Sequence, residues 1–232
     1  MAYTNSPLVN YTKLSPNHSG QRNHAIDTIT IHCVVGQASV ETLGNIFASK
    51  DRQASSNYGV GTDGRIGMYV EEKNRSWCSS SASNDHRAIT IEVASDTTAP
   101  YAVNDKAFNA LIELVADICK RNGIKKLLWK GDKSLIGQVD KQNMTVHRWF
   151  SATSCPGDYL YERQGKIAEL VNAKLNKATI KVDNTPDSYA KEAVEWAKKE
   201  GILLGDQNGD LKLHSNVTRQ DVLVFLHRAL KK

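Results

Sequence analysis

The chain has 232 residues, 40% of them hydrophobic and 24% charged, with a mean hydropathy of −0.45; this suits a globular domain plus a small appendage and excludes a disordered or fibrous polymer. No stretch approaches the roughly 18 apolar residues of a membrane span, and the first seven residues have neither a basic flank nor an apolar run, so synthesis in a cytoplasm without a signal peptide is expected. The net charge is +5, and residues 183–232 carry eight basic and eight acidic side chains, so the excess lies upstream; an anionic wall polymer suits it, whereas no basic run interleaved with aromatics points to nucleic acid.

Tyr11 to His24 is polar and reads as a lead-in loop. Asp27 to Val35 alternates branched apolar with polar residues, a strand that places Thr28, Thr30 and His32 on one face. Val40 to Lys50 reads as a short helix, and Ser55 to Tyr69 as a hairpin turned at Asp63-Gly64. Arg87 to Ala94 is a second strand with Ile89, Ile91 and Val93 on one side and Thr90 and Glu92 on the other. Asp105 to Arg121 repeats apolar residues at three and four and stops at Asn122-Gly123. After a polar loop from Gly131 to Gln142, Thr145-Val146-His147 ends a segment, and Cys155-Pro156-Gly157 leads into a helix from Tyr159 to Leu175. Strands alternating with helices predict an α/β fold with a mixed central sheet flanked by helices. Beyond a linker-like stretch, a helix from Ser188 to Glu200 and one from Thr218, capped by its hydroxyl with Asp221 three residues on, predict a small α-helical hairpin with Trp196, Phe225 and Leu226 inward.

His32 and Glu92 sit among apolar strand residues, where a charge is costly unless paired or coordinated. A His–Glu hydrogen bond that orders the sheet and a metal ligand beside a general base both fit. His147 and Cys155 lie eight apart, which is no zinc-finger spacing, yet with His32 they can converge into a three-ligand site with a fourth position open to water. The other cysteines, Cys33, Cys78 and Cys119, form no C-x-x-C pair, and at least two of the four cysteines read as plain buried residues. A peptidase using the Cys33 thiol with His147 is disfavoured, because successive strand side chains point oppositely.

The His32 strand, the segment Ser56-Asn57-Tyr58-Gly59-Val60-Gly61-Thr62-Asp63-Gly64, the Glu92 strand and His147-Arg148 with Ser151 to Leu160 together resemble the type 2 N-acetylmuramoyl-L-alanine amidases, a family that includes phage endolysins and peptidoglycan recognition proteins. The resemblance runs from about Asp27 to Leu175, and the block from His147 through Cys155-Pro156-Gly157 is its most specific part. It implies that His32, His147 and Cys155 bind Zn²⁺ and that Glu92 is the catalytic acid/base. Many members carry a tyrosine one residue before the hairpin Asn, where this chain has Ser56; Tyr58, two positions later, becomes a substrate-cleft candidate. Some carry a lysine two residues before the cysteine, where this chain has Thr153; Glu92 is then expected to do more of the proton transfer, with Thr153 at most a donor to the oxyanion.

The tail, with Ala193-Val194-Glu195-Trp196-Ala197, Gly201-Ile202, Gly205, Gly209 and Thr218-Arg219-Gln220-Asp221, resembles one S-layer homology repeat, a module that holds proteins on wall polymers. The family commonly uses three copies, so one implies weak binding or a homo-oligomer. Asp206, Asn208 and Asp210 mimic the start of a calcium loop, but Leu211 and Val217 replace its Gly and Glu, which leaves a turn. The expected layout is therefore a zinc amidase domain over 1–178, a linker over 179–186 and a wall-binding module over 187–232. The expected function is hydrolysis of the N-acetylmuramoyl-L-alanine bond of peptidoglycan by a phage or prophage endolysin that reaches the wall after holin-mediated release. A non-catalytic peptidoglycan receptor and a recycling amidase for soluble muropeptides are the alternatives; Cys155 argues against the first and the C-terminal module against the second. Trp77 and Trp149 fit either a glycan groove or the core, and His86 and Arg87 either a contact to substrate carboxylates or a solvated loop.

Overall fold

The computed structural model describes residues 3–177, 183–206 and 209–230. In chain order the strands are β1 (Tyr11–Thr12), β2 (His18–Gln21), β3 (Thr28–Val35), β4 (Tyr58–Val60), β5 (Ile66–Met68), β6 (Asn74–Ser76), β7 (Ala88–Ser95) and β8 (Met144–Thr145). The helices are α1 (Val40–Ala48), α2 (Ala82–Arg87), α3 (Asp105–Arg121), α4 (Gly157–Lys177), α5 (Lys191–Lys199) and α6 (Arg219–Leu230). The chain divides into two compact units, one up to Lys177 and one beyond it.

In the first unit a six-stranded sheet has the order β1-β5-β4-β7-β3-β8. β4 and β5 are the antiparallel hairpin; β3 runs parallel to both β7 and β8, and β4 parallel to β7. This is the mixed α/β sheet expected from the alternation of strands and helices. Period-two alternation sorts its two faces. Ile29, Ile31, Tyr58, Val60, Ile89, Ile91 and Val93 join one buried cluster with Leu111, Leu114, Val115 and Ile118 of α3 and Leu160, Ile167 and Val171 of α4. Each such side chain contributes about 1.5–3 kcal/mol of transfer free energy. The intervening residues, Thr30, His32, Thr90 and Glu92, are left to the opposite face. On that face α1 packs through Leu43 and Phe47 against Tyr69. Gly59 makes the approach possible, since a Cβ there would lie 2.7 Å from the Tyr69 ring and 2.8 Å from Leu43.

The lead-in is more ordered than its polarity suggests. β1 adds to the sheet edge beside β5, and β2 pairs antiparallel with β6 in a separate two-stranded sheet. Pairings of two to four residues at an edge bury too little to impose a period on the sequence. Side chains supply the rest of the attachment. Arg22, buried, donates to the carbonyls of Glu72 at 2.6 Å and Asp85 at 2.5 Å and to Asn57 Oδ1 at 2.9 Å. Glu72, fully buried, receives Arg121 Nη2 at 2.5 Å and the Tyr58 hydroxyl at 2.7 Å. α2 was also not evident in the sequence; it is six residues long, polar, and capped by the Ser81 hydroxyl. α4 begins two residues before the expected Tyr159 and runs to Lys177, and the first part of the expected linker, 179–182, lies outside the described residues.

In the second unit, α6 starts with the expected reciprocal cap: the Asp221 amide donates to Thr218 Oγ1 at 3.1 Å and the Thr218 amide to Asp221 Oδ2 at 3.0 Å. Of the three side chains expected inward, Phe225 alone is partly covered. Trp196 is 54% exposed and Leu226 51%, and Ile202 is the one buried large apolar side chain among the described residues of this unit. Two short helices and their loop do not enclose these side chains by themselves. Asp206 and Asp210 close a turn, with the Asp206 amide donating to the Asp210 carbonyl at 3.0 Å. No helix among the described residues is long and apolar enough to cross a membrane.

Candidate active site

Parallel strands gather functional groups at their carboxyl ends, and this sheet does so with β3, β7 and β8. His32 on β3 lies directly beside Glu92 on β7 in register. His147 opens a single 3-10 turn just after β8, which itself pairs with β3. Cys155 follows in the turn before α4, where the Arg148 amide donates to the Cys155 carbonyl at 3.1 Å and the Cys155 amide to Thr153 Oγ1 at 3.2 Å. Gly157 then turns the chain with φ +78; a Cβ there would stand 2.8 Å from that of Tyr101.

One ligand atom each of His32, His147 and Cys155 lie within 4.8 Å of one another. His32 Nδ1 is 3.4 Å from Cys155 Sγ. A tetrahedral Zn²⁺ with its usual bond lengths holds nitrogen and sulfur about 3.5 Å apart, so the donor set fits that ion. His147 uses Nε2 on the Ser80 hydroxyl at 3.0 Å, which leaves Nδ1 for the metal. Burial and the His147 ring push His32 down to about 3, so it is neutral and able to ligate at neutral pH. His147 is lowered too, chiefly by burial. The neighbouring Cys33 thiol and burial hold the Cys155 thiol far above its ordinary value, so its thiolate calls for a cation.

Glu92 stands at this site with a carboxyl pushed up to about 7 by burial, partly offset by the Cys78 thiol, whose Sγ donates to Oε1 at 3.8 Å. Its Oε2 is buried without a hydrogen-bond partner. Thr153 is exposed beside the cysteine, its hydroxyl oxygen accepting the Cys155 amide while its proton stays available. Tyr58 is elsewhere. It pairs with Ile91 rather than Glu92, so its ring enters the core on the opposite face, fully buried, with its hydroxyl between Glu72 and the Ser6 amide. The substrate-cleft role expected for Tyr58 is therefore withdrawn.

The segment Cys78–Ser81 was not singled out by the sequence, and it forms one wall of the site. Asp85 accepts the amides of Cys78 and Ser79, both at 3.1 Å, and the Ser79 hydroxyl at 2.6 Å. Asn84 ties the same segment to the sheet, donating to Ser79 Oγ and Thr30 Oγ1 and accepting from Thr145 Oγ1. Ser80 adopts φ +62, a left-handed conformation sparsely used by serine, and from there reaches His147. Trp149 is buried and stacked on Trp129 with ring centroids 5.0 Å apart, a packing role rather than a groove wall. Trp77 donates its ring N–H to Ser19 Oγ at 2.6 Å, and Arg87 pairs with Asp27 at 2.6 Å.

The family described as N-acetylmuramoyl-L-alanine amidase matches residues 22–158, more than half of the chain and all of this site. The chain belongs to that family. No curated protein matches it in sequence. Among solved structures, a mutant endolysin from Bacillus subtilis is similar at 18% identity and a TM-score of 0.52, over 70% of this chain and 99% of that one. The endolysin N-acetylmuramoyl-L-alanine amidase LysCS from Clostridium intestinale URNW is similar at 17% and 0.51, over 73% and 96%. At these identities the likeness is one of fold. The family match begins at Arg22 and ends at Asp158, so it includes the two histidines, Glu92 and Cys155 and excludes the whole second unit.

Proposed function

We propose that this amidase is a zinc-dependent hydrolase that cuts the bond between the lactyl group of N-acetylmuramic acid and L-alanine in peptidoglycan. The convergence of His32, His147 and Cys155 beside the buried carboxyl of Glu92 carries the reading. His32, His147 and Cys155 would hold Zn²⁺. When bound, the metal polarises the scissile carbonyl and makes water acidic enough to attack at neutral pH. The chain supplies the rest. Glu92 accepts at Oε2 the proton of the attacking water and returns it to the departing alanine nitrogen, so that amide plus water becomes acid plus amine. Burial raises that carboxyl, which favours its holding the proton between the two transfers. Ser80 fixes the ring of His147, and the Thr153 hydroxyl donates to the developing oxyanion.

The second unit, with its S-layer homology-like pattern, is read as a wall-binding module. A lytic enzyme that reaches the wall from the cytoplasm through a holin, as a phage or prophage endolysin does, suits this combination. Metal content and wall lysis measured on one preparation, wild type beside Cys155→Ser, test the central claim. The expected result is one zinc per chain, release of amino groups without reducing ends, and loss of both zinc and activity in the variant. Cleavage that persists without zinc refutes the reading.

A further inference from the structure

The net charge of the chain is local. Residues 120–141 hold seven basic and two acidic side chains; taking these from the 30 and 25 of the whole chain leaves 23 of each, so this one segment accounts for the entire +5. Arg121 is already paired with Glu72 and Asp117, and the free charge is therefore carried by lysines. Lys125, Lys126, Lys130, Lys133 and Lys141 are all exposed, and none of them meets a carboxylate among the described residues. Of the two acids, Asp132 turns its carboxylate onto the Ser134 amide at 2.8 Å and hydroxyl at 2.7 Å. Two buried side-chain amides gather the lysines on one compact loop. Gln142 accepts the amides of Lys130 at 3.0 Å and Asp132 at 3.2 Å and donates to the Asp132 carbonyl at 2.8 Å. Asn143 donates to the Lys126 carbonyl at 2.8 Å and accepts the Leu128 amide at 2.7 Å. The segment thus doubles back beside Lys141, with Ile124 and Leu127 buried beneath it. It enters β8 at that strand's amino end, and a Cβ at Gly137 would lie 3.7 Å from Nη1 of Arg87, just before β7. The lysines are thus apart from the metal donors.

We propose that this lysine loop is a docking surface for a polyol-phosphate polymer of the cell wall, a wall contact that belongs to the catalytic unit itself. The choice of a wall polymer among polyanions rests on the proposed wall-lytic role. A lysine ammonium acts as a point charge, whereas the planar arginine fork selects bidentate partners. Lysines without free arginines therefore suit a flexible chain of singly charged phosphodiesters, whose anions recur in no fixed orientation. Nucleic acid fits less well, because unpaired strands are held by aromatic rings stacked on bases. Trp129, the aromatic of this segment, is instead stacked on Trp149 at 5.0 Å and met edge-on by Tyr161 at 5.9 Å. Exposed charges attract over about 10 Å at 0.1 M salt and about 3 Å at 1 M, so docking is reversible and weakens as salt rises.

The test measures binding of the full-length chain to immobilised glycerol-phosphate polymer, free of peptidoglycan and lipid, at about 0.05 M and about 0.5 M NaCl. A loop variant, Lys130→Glu with Lys133→Glu and Lys141→Glu, is compared with a control of equal net charge, Lys73→Glu with Lys106→Glu and Lys166→Glu, whose lysines are exposed elsewhere on the first unit. Amine release from soluble muropeptides is followed in each. Wild type should bind at low salt and lose at least about tenfold in affinity at high salt. The loop variant should bind at least about tenfold more weakly than wild type at low salt and the control within about threefold, with soluble cleavage unchanged in both. If the loop variant also loses soluble cleavage it is misfolded, and the same three positions changed to Gln decide, with a loss of about threefold or more expected. Wild type that does not bind at low salt, a loop variant that binds as tightly as wild type, or a control that loses as much as the loop variant overturns the surface. Tighter binding through the same lysines to a DNA duplex, or to phosphatidylglycerol vesicles of matched phosphate content, overturns the assignment to a wall polymer. Polymer bound through the loop by a protein that cuts no muropeptide supports the surface and refutes the amidase reading instead.

Discussion

Replacing Glu92 by Gln separates chemistry from stability in a way the structure makes quantitative. Burial lifts the Glu92 carboxyl from 4.5 to about 7 in the folded protein. A group whose folded pKa is raised favours the folded state while protonated; that contribution is complete below 4.5 and is lost as pH rises through about 7. A tenfold change in a proton-binding constant is worth about 1.36 kcal/mol, so the metal-free wild type should lose up to about 3 kcal/mol between pH 4 and pH 8 through this one side chain. The amide of the variant cannot ionise and does not lose it. Urea unfolding in the presence of chelator should therefore show Glu92→Gln more stable than wild type by about 2–3 kcal/mol at pH 8, with the gap closing by pH 4. His32 and His147 titrate in both proteins and cancel in the difference. Turnover of the zinc-loaded variant should fall by about 10²–10⁴, the usual worth of a general base, with zinc retained. Near-normal turnover, or a variant less stable than wild type at pH 8, would refute the assignment of a buried, proton-moving carboxylate.

Three further outcomes follow from the same contacts. His32 is held neutral, with its folded pKa near 3 against 6.5 when exposed; the unfolded chain binds the proton first, so the metal-free protein should lose stability as pH falls from about 6.5 towards 3, and His32→Asn should flatten that limb of the acid-unfolding curve. Tyr58→Phe removes a hydroxyl that donates to Glu72 and accepts the Ser6 amide; unfolding free energy should drop by about 1–3 kcal/mol with kcat unchanged, and a fall in kcat at full stability would return Tyr58 to the cleft. Deleting residues 183–232 should weaken binding to intact walls while sparing cleavage of soluble fragments, measured by sedimentation with purified walls beside an amine-release assay; unchanged wall binding would end the anchoring role of the second unit.

The two strands that carry the site were legible because apolar and polar residues alternate from Thr28 to Cys33 and from Ile89 to Val93, which fixes the face of His32 and of Glu92 independently of any partner. Their register, one beside the other, was not, since it follows from how β3 and β7 pair and not from either sequence. Tyr58 shows the cost of lacking that information. On a three-residue strand, a shift of one position exchanges core for site, and pairing with Ile91 sends its ring to the core. Cys78 and Ser80 were harder still. They reach Glu92 and His147 because Asp85 gathers the amides of residues 78 and 79, a closure made by hydrogen bonds that impose no period on the chain.

The polar face of the sheet also shows why this wall had to be built. Thr30, Thr90, Asn57, Ser76 and Asn84 are all buried, and a face of that composition is stable only if its hydrogen bonds close on one another. They do: Thr30 meets Thr145 at 2.7 Å and Asn84 at 3.0 Å, and Ser76 meets Thr90 at 2.8 Å. On the same face His32 follows Thr30 along β3 and Glu92 follows Thr90 along β7, and each keeps an unpartnered buried atom. A satisfied polar lattice carried up to two unsatisfied ligand-type atoms holds them rigidly without neutralising them, which is what a general base and a metal ligand both require. Breaking the lattice one step away should therefore loosen the site without touching it. Asn84→Ala removes the bonds to Thr30, Thr145 and Ser79 together, and it should lower zinc affinity through the Ser80–His147 contact while leaving every ligand in place.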